Sequence, residues 1–586
     1  MLTLSRTIFA AAILLNAVAA SFAQEAAPQD APQDAKGTSA ITGRVTSSDA
    51  DNRPLPGVGI VLTAFESGRA VRKPAARATT GADGFYRLAN VPAGSYHLHI
   101  LAPGFTVSGT LTPRGAGESR AVNVEAGETI EHQDFALARG GVITGRVTDA
   151  DGKPVIAEHL RLIHAVGDSR SGPARIGAAY GFETDDRGVY RMYGLPAGRY
   201  RVCVGEGKES AAVSAALTGR KRTHTCHPNA TEEAQAKVVE VSQGGEATGV
   251  DITLAPPPKT YEARGRMLDA ETGQPVANLT YGFGVFDPGG SNHIGYRGYN
   301  NAKTNAGGEF RFGNLLPGRY AVFVVARDGD APNYYSEAVP FEIDDANLRG
   351  LVVKVRRGAT LRGVASVEGT TDRAVLARLA QVALHVHVVP THPKPDEPQL
   401  GSSSRLTIQP DGSFHLGGLP PGKALLMLDE FSSPRGFMLS RIERGGAEQH
   451  EGIEIGAGEQ VSDVRLRLAY GTTVMRGQLE VRRDGQPSQL PEGAQIHVSM
   501  RRIGGVRSSS DNLSIEVDRR GRFIREGLAA GEYELTASGW VPPMPGASHG
   551  TGLPVVRQTV TVPEKGEINV TLIYDLSAKP QPMVTP

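Results

Sequence analysis

Three groups of residues in this chain have the types and spacing that chemistry requires. The first is its two cysteines, Cys203 and Cys226. In an oxidising compartment this local pair is expected to form a disulfide, and closing a loop of that length stabilises by about 3 kcal/mol. A metal site built from His224, Cys226 and His227 is the weaker alternative, because three ligands crowded on one loop seldom complete a tetrahedral sphere. The second group is a pair of i, i+2 histidine sets, His97/His99 and His385/His387. They share a strand face and read as solvated strand histidines. The third group is Tyr296, Tyr299 and Asn300, followed by Asn333, Tyr334 and Tyr335. Rings that stack and amides that bond hydroxyls, set among glycines, suit a polysaccharide surface, so these six are the ligand-binding candidates. The same composition also makes a plain loop and a core strand.

Nothing else advertises a reaction. The chain has no Walker-type phosphate loop, no His-Glu-x-x-His helix and no His-x-x-Glu pair of the metallopeptidase kind. Acidic turns such as Asp149-x-Asp151-Gly152 are too short to be a calcium ligand set. No catalytic residue, no cofactor and no metal are therefore expected. Lysine plus arginine, at 62, equals aspartate plus glutamate, at 62, so no global field draws in nucleic acid or an anionic membrane.

The elements that must carry these residues follow from length and punctuation. A chain of 586 residues is too long for one hydrophobic core. Its 72 glycines and 38 prolines are spread evenly and predict many tight turns between short strands. Residues 1–23 read as a secretory signal: Arg6, an apolar run from Ile8 to Ala20, then small residues at Ser21 and Ala23. Residues 24–39 are a polar Ala/Pro/Gln linker. No later stretch is long and apolar enough to span a membrane. The mature chain is expected to be secreted across the inner membrane, into the periplasm or out of the cell.

An internal repeat organises the remainder. Glycine, an aromatic two residues on, an aliphatic, then a second glycine recur at fixed spacing: Gly84/Tyr86/Val91/Gly94, Gly188/Tyr190/Leu195/Gly198, Gly308/Phe310/Leu315/Gly318, Gly412/Phe414/Leu419/Gly422 and Gly521/Phe523/Leu528/Gly531. The first glycine marks a turn, the aromatic opens an alternating strand, and a Leu-Pro-Ala-Gly turn or variant leads into a second strand. This reads as a β-hairpin. The second strand carries Tyr96, Tyr200, Tyr320 and Tyr533, with Ala424 in the fourth copy. Upstream of each lies an apolar–x–Gly–x–apolar strand, from Ile41/Gly43/Val45 to Met475/Gly477/Leu479.

The predicted architecture is all-β: five tandem seven-stranded antiparallel β-sandwiches over residues 40–138, 139–257, 258–357, 358–470 and 471–575, with 576–586 a loose tail. A period of about 100 residues suits a sandwich and excludes solenoids and propellers. Short linkers such as Ala255 to Lys259 predict a stiff rod. In this phase Tyr200, Val202 and Val204 face inward and Cys203 faces outward.

The run Ile143-Thr-Gly-Arg-Val-Thr-Asp-Ala-Asp-Gly-Lys-Pro-Val155, with Thr184 to Arg191 and Leu195 to Val202, resembles a carboxypeptidase regulatory-like domain. The resemblance implies a transthyretin-like or starch-binding-like sandwich and a non-catalytic accessory role outside the cell. It names no ligand; the partner classes that remain are a polysaccharide and an envelope protein.

Overall fold

The structure is a computed structural model. It describes residues 39–577 apart from 49–50, 67–68, 108–118, 166–174, 177–181, 207, 220–223, 288–292, 326–332, 392–397, 399–401, 430–431, 492–493, 505–512 and 542–550. The signal-like segment, the linker up to residue 38 and the tail from 578 lie outside the described residues.

The first sandwich shows how the repeat works. Its strands are β1 (Ser39–Ser47), β2 (Gly59–Glu66), β3 (Arg69–Thr79), β4 (Phe85–Val91), β5 (Gly94–Leu101), β6 (Phe105–Val107), β7 (Ser119–Val124), β8 (Thr129–Ile130) and β9 (Phe135–Arg139). One sheet has the order β4-β1-β9-β6, with β8 also on β1, and the other β3-β2-β5-β7. Period-two alternation puts Tyr86 and Leu88 of β4, and Tyr96 and Leu98 of β5, into one buried cluster between the sheets.

The glycine–aromatic signature is a cross-strand pair. Gly43 lies opposite Tyr86, Gly145 opposite Tyr190, Gly265 opposite Phe310, Gly363 opposite Phe414 and Gly477 opposite Phe523. The ring lies across the glycine. A Cβ added at Gly477 would sit 1.9 Å from Phe523 Cζ, so the position tolerates no side chain while the ring stays in place.

The Leu-Pro-Ala-Gly segment corrects the hairpin expectation. Strand β4 pairs with β1, whereas β5 pairs with β2 and β7. The segment is a corner that carries the chain from one sheet to the other, and so delivers two aromatic strands to opposite walls of one core. Gly94, at φ 152°, supplies a conformation that other residues resist. The following tyrosine closes the corner from inside. Tyr96 Oη donates to Pro92 O at 2.9 Å, Tyr200 to Pro196 O at 2.7 Å, Tyr320 to Leu316 O at 2.7 Å and Tyr533 to Ala529 O at 2.9 Å. Burial removes water from these hydroxyls, and the bond to the corner carbonyl replaces it. The same burial pushes the Tyr200, Tyr320 and Tyr533 hydroxyls up to about 12.

The all-β class holds, with two corrections to the seven-stranded antiparallel form. Sheets have four or five strands each, and they stack in pairs. The first and last strands of a sandwich run parallel: β1 with β9, Tyr261–Asp269 with Leu348–Arg357, Ala359–Glu368 with Gln460–Tyr470, and Thr473–Arg483 with Glu567–Asp575. Side-chain alternation is the same in either direction, so periodicity could not reveal this. The five large buried clusters each sit within one stretch of the chain, apart from Ala212, which joins the third from a helix of the preceding sandwich.

One joint recurs between neighbours. Gly140 N–H donates to Gly104 O, Gly358 N–H to Asn333 O and Gly471 N–H to Gly436 O, each at 2.9 Å. Between the second and third sandwiches the helix α1 (Lys208–Thr218) does this work instead, packing Ala212 into the third core with Val213 and Ala216 beside it. The rod expectation is corrected here as well: the strand Arg522–Leu528 of the last sandwich packs against β5 and β7 of the first.

Candidate functional site

The tyrosine–asparagine candidates do not converge. Tyr296, Tyr299 and Asn300 lie on the strand Ile294–Lys303, an edge of one sheet of the third sandwich; their side chains lie outside the described residues. Tyr334 and Tyr335 form a short strand at an edge of the other sheet. Both are buried. Tyr334 Oη donates to Asp269 Oδ2 at 2.8 Å, and Asn333 gives its carbonyl to the joint with Gly358. Helix α1 packs against the strand that carries Tyr296 and Tyr299. The six residues split between two sheets; of those whose side chains are described, Tyr334 packs in the third core and Asn333 lends its carbonyl to a joint, uses that composition could not separate from a sugar surface.

Cys203 and Cys226 occupy opposed positions on neighbouring antiparallel strands, Gly198–Val204 and Thr225–Cys226, and the structure joins them by a disulfide. Cys203 is on the outer face of its sheet, yet fully buried, because the insert folds back over it. Ile163, Cys203, Cys226 and Ala236 form a small cluster there, apart from the main core. His227 takes a different role from the metal alternative: its Nδ1 lies 2.6 Å from Asp251 O.

The first histidine pair leads to a surface that the sequence did not mark. His97 stacks on Phe65, ring centroids 4.4 Å apart, and its Nε2 lies 3.9 Å from Glu516 Oε2 of the last sandwich. Burial, with His99 adding, lowers His97 to about 4; burial likewise raises the Glu516 carboxyl, with His497 opposing. Both groups are thereby biased toward their neutral forms, and the pair is a packed contact and not an ion pair.

Around this contact the first and last sandwiches are clasped. Asn123 is buried, and its amide donates to Arg522 O at 2.7 Å and Glu516 O at 3.2 Å while its Oδ1 accepts from Ser95 Oγ at 2.7 Å. Its own N–H reaches Asp518 Oδ2 at 3.3 Å. Arg520 bridges both partners, donating to Glu128 Oε1 at 2.6 Å, Asn123 O at 2.5 Å and Asp518 Oδ2 at 2.8 Å. Arg522 adds a bond to Glu128 Oε1 at 2.9 Å. Burial raises the Glu128 carboxyl, but the Glu125 backbone N–H and the two guanidinium groups outweigh it and hold it below its usual range. Asn123, Glu128, Asp518 and Arg520 thus each have a partner of opposite sense, whereas His97 Nε2 is buried without a hydrogen bond.

A cleft opens beside the clasp where the first, fourth and last sandwiches meet, lined among others by Phe65, Ser433, Arg435, Phe437, Glu516 and Arg525. Arg435 pairs across it with Glu526 at 2.8 Å. It gathers no nucleophile–base set among the described residues. One run overlooked in the sequence, Gly546-Ala-Ser548-His-Gly550, has the spacing of a nucleophile elbow. It lies outside the described residues, and a short strand, Thr551–Gly552, follows it where an elbow requires a helix.

No curated protein matches this chain. Among solved structures, the Bacillus anthracis TIE protein is 12% identical, the match covering 76% of each chain, with a TM-score of 0.15. The Streptococcal ancillary pilin is 12% identical over 56% of this chain and 99% of its own, TM-score 0.16. GBS52, the minor pilin of Streptococcus agalactiae, is 18% identical over 38% and 98%, TM-score 0.18. Likeness at these scores brings no functional inference with it. Residues 40–138 match the family model of the carboxypeptidase regulatory-like domain, and the first sandwich is thus identified as a member of that family.

Proposed function

We propose that this chain is a non-catalytic scaffold of the bacterial envelope or exterior, whose sandwiches are held in a closed array to engage a protein partner. The observation that supports it is the clasp: buried Asn123 and Asp518 and half-buried Glu128 and Arg520 join residues 392 to 397 apart in the chain through mutual hydrogen bonds. A spacer needs no such contact. A scaffold with a fixed spacing of surfaces does. Two of the sugar-surface candidates have structural uses that support this reading: Tyr334 packs in a core and Asn333 gives its carbonyl to a joint. The signal-like leader and the Cys203–Cys226 disulfide support work in an oxidising compartment, and no helix among the described residues is long and apolar enough to cross a membrane.

Crosslinking of the mature chain in its native envelope tests this, with Arg520→Ala and a glycan panel beside it. Discrete protein adducts that weaken in Arg520→Ala are expected. Saturable glycan binding that Tyr335→Ala abolishes, without protein adducts, would replace this reading with carbohydrate recognition.

A further inference from the structure

We propose that Cys203, Cys226 and His224, with Glu233 as fourth donor, form a zinc site that exists when the disulfide between the cysteines is reduced. Four side chains from three short elements converge on the outer face of the second sandwich. Cys203 comes from the strand Gly198–Val204 and Cys226 from the strand opposite, their Cα atoms 3.9 Å apart. His224 stands two residues before Cys226, and its Nε2 lies 3.3 Å from Cys226 Sγ. Glu233 opens a short 3-10 turn, with Oε1 3.7 Å from the same Nε2. The ligand atoms of Cys203, His224 and Cys226 all lie within 4.8 Å of one another.

These distances are near those a tetrahedral zinc ion imposes. With sulfur at about 2.3 Å and nitrogen at about 2.0 Å from the metal, sulfur and nitrogen ligands stand about 3.5 Å apart. The imidazole and the carboxylate are already at such separations from their neighbours. The movement required is the parting of two sulfurs to about 3.8 Å once their bond is broken. Two thiolates, an imidazole and a carboxylate are a donor set for zinc and not for magnesium or calcium. Both cysteines are fully buried and the His224 side chain is 11% exposed, which suits a closed structural site.

The exchange balances. A dithiol reductant gives two electrons and two protons to the Cys203–Cys226 bond and itself becomes a disulfide. Zinc(II) then displaces the two thiol protons and takes both thiolates. One ion thus replaces one covalent bond as the pin that holds residues 224–236 onto the sheet, with two protons released.

Cobalt(II), followed by displacement with zinc(II), tests the proposal on the full mature chain, reduced anaerobically with a dithiol that is then removed. One cobalt per chain is expected, with thiolate charge-transfer absorption and the intense visible bands of a tetrahedral site, absent before reduction. His224→Ala and Glu233→Gln are each expected to lower the affinity at least tenfold, and Cys203→Ser to abolish the signal. Far-UV circular dichroism follows the fold throughout. The proposal is overturned by a reduced chain that takes up no cobalt in tetrahedral form, by unchanged affinity in either variant, or by a second sandwich that unfolds on reduction and is not restored by the metal.

Discussion

Arg187 and Arg520 occupy the same place in two copies of one turn, Asp185-Asp-Arg-Gly188 and Asp518-Arg-Arg-Gly521. In both, the aspartate caps the turn: Asp185 Oδ1 accepts from the Arg187 and Val189 N–H groups, and Asp518 Oδ1 from those of Arg520 and Arg522. In both, the arginine folds back onto its own aspartate. There the likeness ends. Arg187 remains exposed in solvent, whereas Arg520 is half-buried and reaches Glu128 and Asn123 of the first sandwich. The turn is a folding signal and recurs for that reason. The contact is a consequence of where the array brings the turn, and no local feature records it.

The largest effect is expected on the folding side. Gly477→Ala forces a Cβ into the Phe523 ring and should cost the last sandwich about 3 kcal/mol or more, read by denaturant unfolding. A loss below about 1 kcal/mol would show that the glycine–aromatic pair does not set the packing.

Arg520→Ala separates the two sides of the comparison. It leaves Asp518 without its guanidinium and Glu128 with Arg522 alone, and should weaken the clasp by about 2 kcal/mol after allowance for partial exposure. Hydrogen exchange of the Ser119–Val124 and Leu513–Ile515 amides should then speed by about 30-fold, while the sandwich cores stay protected. Unchanged exchange would mean the ends are not held together.

Acidification should open the clasp more gently. His97 titrates near 4 when packed, below its ordinary 6.5, so the proton binds more readily once the contact opens. Stability should fall as the pH drops from 6.5 to 4. Glu128, held low, acts in the same direction as it becomes protonated; Glu516, raised by burial, opposes. A particle whose dimensions do not change between pH 7 and 4.5 would remove His97 from the contact. The smallest effect is assigned to Arg187→Ala: unfolding and exchange within error of the parent chain, since exposed pairs of this kind contribute little.

The inner faces were legible in the sequence because their chemistry is local and repeated. Gly43 and Tyr86, or Gly363 and Phe414, are spaced by the same register in each copy, and Tyr200 stands a fixed distance from the corner carbonyl it caps. The hairpin expectation failed for a related reason: two alternating strands around a tight turn look the same whether they pair with each other or with separate sheets. The outer faces were not legible. Asn123 sits in the alternating run of β7 with nothing to mark it as the residue that would be sealed against Glu516 and Arg522. Asn333 and Tyr334 carried a binding-like composition and take part in a joint and a core. Cys203 was placed on the outer face by phase alone; that the insert would cover it, and bring His224 to Cys226, depended on a fold-back that spacing does not encode.

Small-angle scattering of the mature chain, beside the Asn123→Ala/Arg520→Ala double variant at neutral pH, is the most direct measurement of the closed array. The parent chain should give the shorter maximum dimension, and the variant should lengthen with its sandwiches still folded. Equal and extended dimensions for the two would contradict closure and leave the rod.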